Sequence, residues 1–288
     1  MREVVQVGMG LGIFGLQSKA VLLAVIAVLT SMGACAQSPA LLWPHQARAA
    51  VSLAYDDALN SQLDVAIPAL NRHGLKASFY LTLSSDTVRH RLDAWRKVAA
   101  QGHELGNHTL FHQCSRSAPD RSWVTVHNDL DAISVEQLVA QVRIGNTMLH
   151  AIDGEQARTF AAPCGDLNAS GEPYLRALED DFVAMKSAFG GVVPDLHTLD
   201  PYAVGVEVVS DMTGRELIAL VQRAAEAGTM INITFHGVGG DYLSVSREAH
   251  EELLHYLAKN RGVFWTDTFI RIMQHVKAQR VSSPQKLQ

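Results

Sequence analysis

From about residue 50 to the carboxyl-terminal region, short apolar runs alternate with segments of helical spacing, and many of the runs end on a polar or glycine-bearing stretch. Residues 50–55 (AVSLAY) read as a buried strand. Residues 62–72 follow with Leu63, Ile67 and Leu70 at helical spacing, ended by Gly74. Residues 76–82 (KASFYLT) are the next strand, 88–100 the next helix, and 103–107 a third strand. A polar loop covers 113–132, after which Ser134 with Gln137 offers a capping box to a helix running to about His150. Further strands are expected over 159–161, 182–185, 204–208, 230–235 (MINITF) and 263–265. Further helices are expected over 213–227, 246–260 and from about Thr268. Helices interposed between strands imply a parallel sheet, because each crossover returns the chain to the same direction. About seven such units in roughly 250 residues favour a distorted (β/α) barrel, α/β in class and a single domain, over an open sheet.

The 288 residues, 48% hydrophobic and 18% charged with a formal charge of −5, suffice for one large core and carry no basic excess that would suit nucleic acid. Residues 20–30 (AVLLAVIAVLT) stand apart, preceded by Arg2 and Lys19 and followed by small residues, as in a secretory signal peptide. About eleven apolar residues fall short of the roughly 20 that a transmembrane helix needs. Two cleavage patterns compete: Ala34-Cys35-Ala36 fits ordinary signal peptidase, and Met32-Gly33-Ala34-Cys35 resembles a lipobox that would leave a lipidated Cys35 as membrane anchor. Residues 1–36 are thus expected as a leader and 37–288 as the working domain, exported to the periplasm, held at the outer membrane as a lipoprotein, or secreted. Cys114 and Cys164 are then the cysteines of the mature chain.

In barrels of this kind chemistry collects where the strands end, because the loops there converge on one mouth. Four polar groups fall at such ends: Asp56-Asp57, His108 with His112, Pro163-Cys164-Gly165-Asp166, and His236. Adjacent carboxylates repel, so one pKa must rise unless a cation sits beside them. Alone, the pair fits a turn or a helix cap equally well. His108 and His112 have a spacing that suits zinc-type ligation with a carboxylate as third ligand, although a spacing of four also arises by chance among 13 histidines. Two histidines and one aspartate would form an open site with room for water, accepting zinc, cobalt, nickel or manganese. His236 ends its own strand before Gly-Val-Gly-Gly and, near neutral pKa, is suited to protonating a leaving group.

Together these residues resemble the polysaccharide deacetylases of carbohydrate esterase family four, which share the nodulation-type deacetylase homology domain, over about residues 49–275. The family pattern Thr-Phe-Asp-Asp-Gly appears as Ala54-Tyr55-Asp56-Asp57-Ala58, which implies Asp56 as catalytic base and Asp57 as metal ligand. His-Ser/Thr-x-x-His is intact from His108 to His112, implying two further ligands. The strand ending in Leu-x-His or similar is matched by Ile233-Thr234-Phe235-His236, implying His236 as general acid. The pattern Arg-x-Pro-Tyr is not kept: Ala161 stands for the arginine that steadies the base, and Cys164 follows Pro163 where tyrosine is expected. Arg158 lies near in sequence only. No clear counterpart exists for the Asp and Trp that support the acid, with Asp200 and Asp241 as candidates.

The resemblance implies metal-assisted hydrolysis of N- or O-acetyl groups on a chitin-like, peptidoglycan or xylan-type carbohydrate. It also implies a divalent cofactor, zinc in the first place, and an oxyanion site built by Pro163 and the Cys164 backbone; separately, the chain is expected to work as a monomer. Cys164 and Cys114, two residues beyond His112, then belong near one mouth and are expected to form a disulfide in an oxidising compartment. The missing arginine supports a second reading, a catalytically weak carbohydrate-binding protein with a retained metal site.

Overall fold

The computed structural model describes residues 42–282; the expected leader, with Cys35 and both cleavage patterns, lies outside them. An eight-stranded parallel sheet is formed by β1 (Ala49–Asp56), β2 (Ser78–Leu81), β3 (Glu104–Asn107), β4 (Thr159–Ala161), β5 (Ala184–Phe189), β6 (Val204–Val208), β7 (Met230–Phe235) and β8 (Phe264–Asp267). The sheet closes because β7 pairs with β1 over residues 50–55. On its other side β1 has two neighbours, β8 along 49–52 and β2 along 54–56. With four residues β2 cannot flank all eight of β1, and β8 occupies the remaining length. The barrel is therefore closed by seven strands, as expected, with an eighth filling the gap.

The helices are α1 (Ile67–His73), α2 (Asp86–His90), α3 (Leu92–Ala100), α4 (Val135–Asp153), α5 (Gly214–Ala227), α6 (Arg247–Lys259) and α7 (Phe269–Ser282). Their ends follow local chemistry. Ser134 and Gln137 form the expected capping box of α4, and Thr213 with Glu216 forms a second one at α5. Residues 88–100, expected as one helix, form the end of α2 and all of α3, broken at Arg91. There ψ is 30° and the guanidinium turns away to Asn60 (2.8 Å) and Asp64 (3.0 Å). The start of the helix expected at Gln62 is a π-turn over Gln62–Ala66 that leads into α1.

Strand alternation sorts the side chains onto two faces. Val51, Leu53, Tyr55, Phe79, Leu105, Ile231, Ile233 and Phe235 pack outward with Leu70, Trp95, Leu217 and Leu253 of the helices. The inward positions are unusually polar: Ser52, Ser78, Glu104, Thr159, Lys186, Asn232 and Thr234 are all buried. Deep in the barrel, Glu104 accepts hydrogen bonds from Ser78 Oγ (2.6 Å), Thr159 Oγ1 and the backbone N–H of Ile270 (3.0 Å) in the first turn of α7. Burial pushes this carboxyl upward, and those donors with the Lys186 charge oppose it. Above it Tyr80 hydrogen-bonds Thr159 Oγ1 at 2.8 Å and lays its ring across β3. That ring needs Gly106: a Cβ there would lie 2.5 Å from Tyr80 Cδ1.

Candidate metal centre and active site

Asp56 is the last residue of β1, and the chain then turns through left-handed conformations at Asp57 (φ 81°) and Ala58 (φ 59°). For non-glycine residues each such conformation is strained by about 1–3 kcal/mol, so the surrounding structure must hold them there. The Asp57 N–H donates to Tyr80 O (3.1 Å), while the Asp56 carbonyl accepts from Gln62 Nε2 (2.6 Å). The turn sends the two carboxylates to different partners.

Asp57 Oδ1 lies 3.2 Å from His108 Nε2 and 3.1 Å from His112 Nε2. His108 is buried, and its Nδ1 donates to Ala161 O (2.8 Å), which leaves Nε2 as the nitrogen facing Asp57. His112 stands after a tight turn built from β3 outward. Gly145 of α4 lets Asn107 come close, since a Cβ there would be 2.9 Å from Asn107 Nδ2. Asn107 Oδ1 takes the Thr109 N–H (2.8 Å), and Thr109 Oγ1 takes the His112 N–H (2.9 Å).

The three donor atoms suit a divalent cation. Atoms bound tetrahedrally at about 2.0–2.1 Å stand roughly 3.3 Å apart, close to the separations seen. Asp57 Oδ1 is buried with no hydrogen-bond partner when the imidazoles are neutral donors of electron pairs. Burial alone would push Asp57 upward, yet the two histidines outweigh it and hold the carboxyl well below the usual range. His108 is lowered by burial but raised further by Asp56 and Asp57, with a net upward shift. Both directions say that this corner favours positive charge.

Around the cluster, His236 follows β7 with Nε2 3.8 Å from Asp57 Oδ2. Burial lowers its pKa and the two aspartates oppose the shift. Its Nδ1 is buried without a hydrogen-bond partner. Asp200 and Asp241, the candidates for that support, are engaged elsewhere: Asp200 accepts from the Tyr202 N–H (2.8 Å) and Asp241 from the Ser61 N–H (2.8 Å). Arg158 is also away from the site, paired with Asp153 at 2.5 Å.

Two site residues were not foreseen. Tyr242 donates its hydroxyl to Asp57 Oδ2 (2.8 Å), returned to the mouth by the glycine-rich loop after His236. Lys186 reaches Asp56 Oδ1 at 3.3 Å from β5 and is buried. The strand expected over 182–185 stops one residue before it; β5 in fact runs on through Phe189. A charged residue after an apolar run looks like a boundary, and only barrel closure makes an inward lysine intelligible.

Cys114 and Cys164 are disulfide-bonded, with Cα atoms 5.9 Å apart. The loop 113–132 is fastened to the loop after Pro163 by that bond, by the Ser115 N–H on Asp166 (2.8 Å) and by Arg121 on Cys164 O (3.1 Å). Closing a loop with a sequence separation of 50 gives about 4 kcal/mol in the chain-entropy model. The double variant Cys114→Ala/Cys164→Ala is accordingly expected to unfold at lower urea, losing about 2–4 kcal/mol; an unchanged midpoint and slope would contradict this.

These groups line one cavity of about 820 Å³ that includes Asp56, Asp57, both histidines, Lys186, Cys164 and His236. Its rim carries exposed apolar side chains: Phe189 (76%), Trp123 (58%), Tyr242 (54%) and Leu243 (50%). Phe189 packs on Gly165, where a Cβ would meet its ring at 2.7 Å.

Residues 45–182 match the family described as polysaccharide deacetylase. The matched residues, just under half of the chain, include Asp56, Asp57, His108, His112 and Cys164. Among curated proteins, the uncharacterized protein YlxY of Bacillus subtilis is 25% identical over 141 residues, 49% of this chain and 36% of that protein. The chain thus spans about a third of that relative. Among solved structures, a probable polysaccharide deacetylase of Pseudomonas aeruginosa PAO1 shares the fold with a TM-score of 0.59 at 12% identity, covering 86% of this chain and 97% of the other. The peptidoglycan deacetylase PdaC of Bacillus subtilis follows at 0.52 and 19%, covering 81% and 93%. A CE4 family pseudoenzyme of Bacillus anthracis has the fold too, at 0.50 and 15%, covering 82% and 66%. The fold is therefore common to active and inactive proteins, and activity has to be argued from the site.

Proposed function

We propose that this chain is an exported, metal-dependent hydrolase that removes N- or O-acetyl groups from a poly- or oligosaccharide. The observation that carries the reading is the convergence of Asp57, His108 and His112 on one point, with Asp56 and His236 in the same cavity. Bound by Asp57 Oδ1, His108 Nε2 and His112 Nε2, a divalent cation, zinc in the first place, supplies the Lewis acidity that polarises an acyl carbonyl and makes water more acidic. Asp56 takes the proton of the attacking water as the new C–O bond forms at the acyl carbon. The backbone N–H of Cys164, positioned by Pro163, donates to the oxyanion. The acyl C–N or C–O bond then breaks, and His236 gives its proton to the departing amine or alcohol. Acetate and the free sugar group are the products.

The rim fits a carbohydrate because flat apolar side chains around a polar floor match sugar rings, whose faces present C–H groups and whose edges present hydroxyls. Both chitin-like or peptidoglycan N-acetyl groups and xylan-type O-acetyl groups suit this site. Export is supported by the amino-terminal apolar stretch and by the disulfide. A second reading, a sugar-binding protein of little activity, rests on Ala161 and on the unpartnered His236 Nδ1. The deciding experiment measures acetate released from acetylated chito-oligosaccharides, peptidoglycan fragments and acetylated xylan, with protein stripped by chelator and then reloaded with zinc. Metal-dependent release is expected from at least one; saccharide binding without release from any would select the second reading.

A further inference from the structure

We propose that Lys186 is the positioning residue of Asp56, taking the place of a cation that the neighbouring strand lacks. The inference rests on the hydrolase reading for its kinetic arm alone. Lys186 lies on β5, and its register partner on β4 is Ala161. In paired parallel strands such residues point to the same face at the same height, here into the barrel. Ala161 is the position where the family resemblance places an arginine. A long cationic side chain thus stands one strand along from that position, and Ala161 is small enough to leave it room.

Two contacts and one longer-range charge interaction define what the ammonium does. It lies 3.3 Å from Asp56 Oδ1, 4.1 Å above the Tyr80 ring centroid, and its charge also reaches Glu104 below. Gly106 allows the ring to lie where the lysine can rest on it. The lysine is therefore held from beneath by an aromatic face and has one carboxylate within hydrogen-bonding distance. Asp56 and Asp57 are adjacent, and with no cation beside it Asp56 would be repelled by Asp57 or drawn to the metal ligands. Lys186 divides the pair: Asp57 serves the histidines and Asp56 stays oriented as a base.

The test compares zinc-loaded wild type with Lys186→Met, Lys186→Arg and the relocated pair Ala161→Arg/Lys186→Ala, measuring kcat, KM, bound zinc and crystal structures. Lys186→Met is expected to keep stoichiometric zinc and KM within about twofold while kcat falls by about a hundredfold. Its Asp56 carboxylate is expected to leave the wild-type position. Lys186→Arg and the relocated pair are expected to recover to within about tenfold of wild type. A Lys186→Met protein with wild-type kcat, or one whose loss of rate follows loss of zinc, overturns the proposal. If Lys186→Met does not fold, the relocated pair decides: folded, zinc-loaded and inactive overturns it, and active supports it. If wild type releases no acetate from any substrate, the hydrolase reading fails separately, and the structures still decide. An Asp56 carboxylate unmoved without the ammonium overturns the positioning role; a displaced one supports it.

Discussion

His112→Ala and His108→Ala are expected to lose bound divalent metal and acetate release together while keeping the barrel. Each removes one of three protein donors, and because removal of residues that merely orient a ligand weakens metal binding by about 10–100-fold, loss of a ligand should exceed that range. His112 is the cleaner variant. Its side chain is 22% exposed on a loop fastened by a neighbouring disulfide, so its truncation opens little space. His108 is 2% exposed and donates to Ala161 O, so its loss also frees a carbonyl at the end of β4 and should cost about 1–3 kcal/mol of stability. A readout independent of activity is available. Zinc at about 100 times its Kd should stabilise the wild type by about 2.7 kcal/mol, visible as a higher melting temperature, and neither variant should show that shift. Stoichiometric metal with full hydrolysis in either variant would refute the ligand assignment.

The barrel was legible because each inference needed only neighbours in sequence. MINITF is apolar and β-branched, Ser134 sits three residues before Gln137, and Gly74 follows the last helical turn; β7, α4 and α1 bear these out. The break at Arg91 was hidden because its cause is distant: the guanidinium is drawn to Asn60 and Asp64 in another loop. The shortness of β2 and the role of β8 were hidden likewise, since only closure shows which half of β1 lacks a neighbour.

At the mouth, Asp56, Asp57, His108, His112 and His236 could be singled out because they fall at strand ends, and strand ends meet in a barrel. Lys186 could not. Its meaning depends on register, where Ala161 and Lys186 are partners, and the sequence run around it (AMKSAF) shows only a charge after two apolar residues. One usable signal existed: Ala161 left a pair of carboxylates without its expected cation, and a lysine stood directly after the next expected strand. Tyr242 was hidden for a different reason. It returns to Asp57 across a loop of glycines whose path no periodicity describes.

Asp56→Asn and Asp57→Asn should separate where the sequence places them side by side. Asp57 Oδ1 stands 3.1–3.2 Å from both imidazole Nε2 atoms, and Oδ2 accepts the Tyr242 hydroxyl, so an amide there leaves a neutral, weaker donor among the candidate ligands. Zinc content is expected to fall. Asp56 makes neither imidazole contact; its carboxylate faces Lys186, and an amide of the same shape keeps the cavity intact while removing the group that accepts a proton. Zinc should stay stoichiometric in Asp56→Asn while kcat falls by about 10²-fold or more, the usual range for a lost general base. The charge balance sharpens the contrast. Asn at 56 takes from the buried Lys186 the carboxylate it pairs with at 3.3 Å, so some loss of stability should accompany the loss of rate. Metal analysis and kinetics on the two variants, with unfolding curves to account for stability, decide the matter. Equal zinc loss in both would mean that Asp56 is a ligand, and the division of labour at the end of β1 would fall.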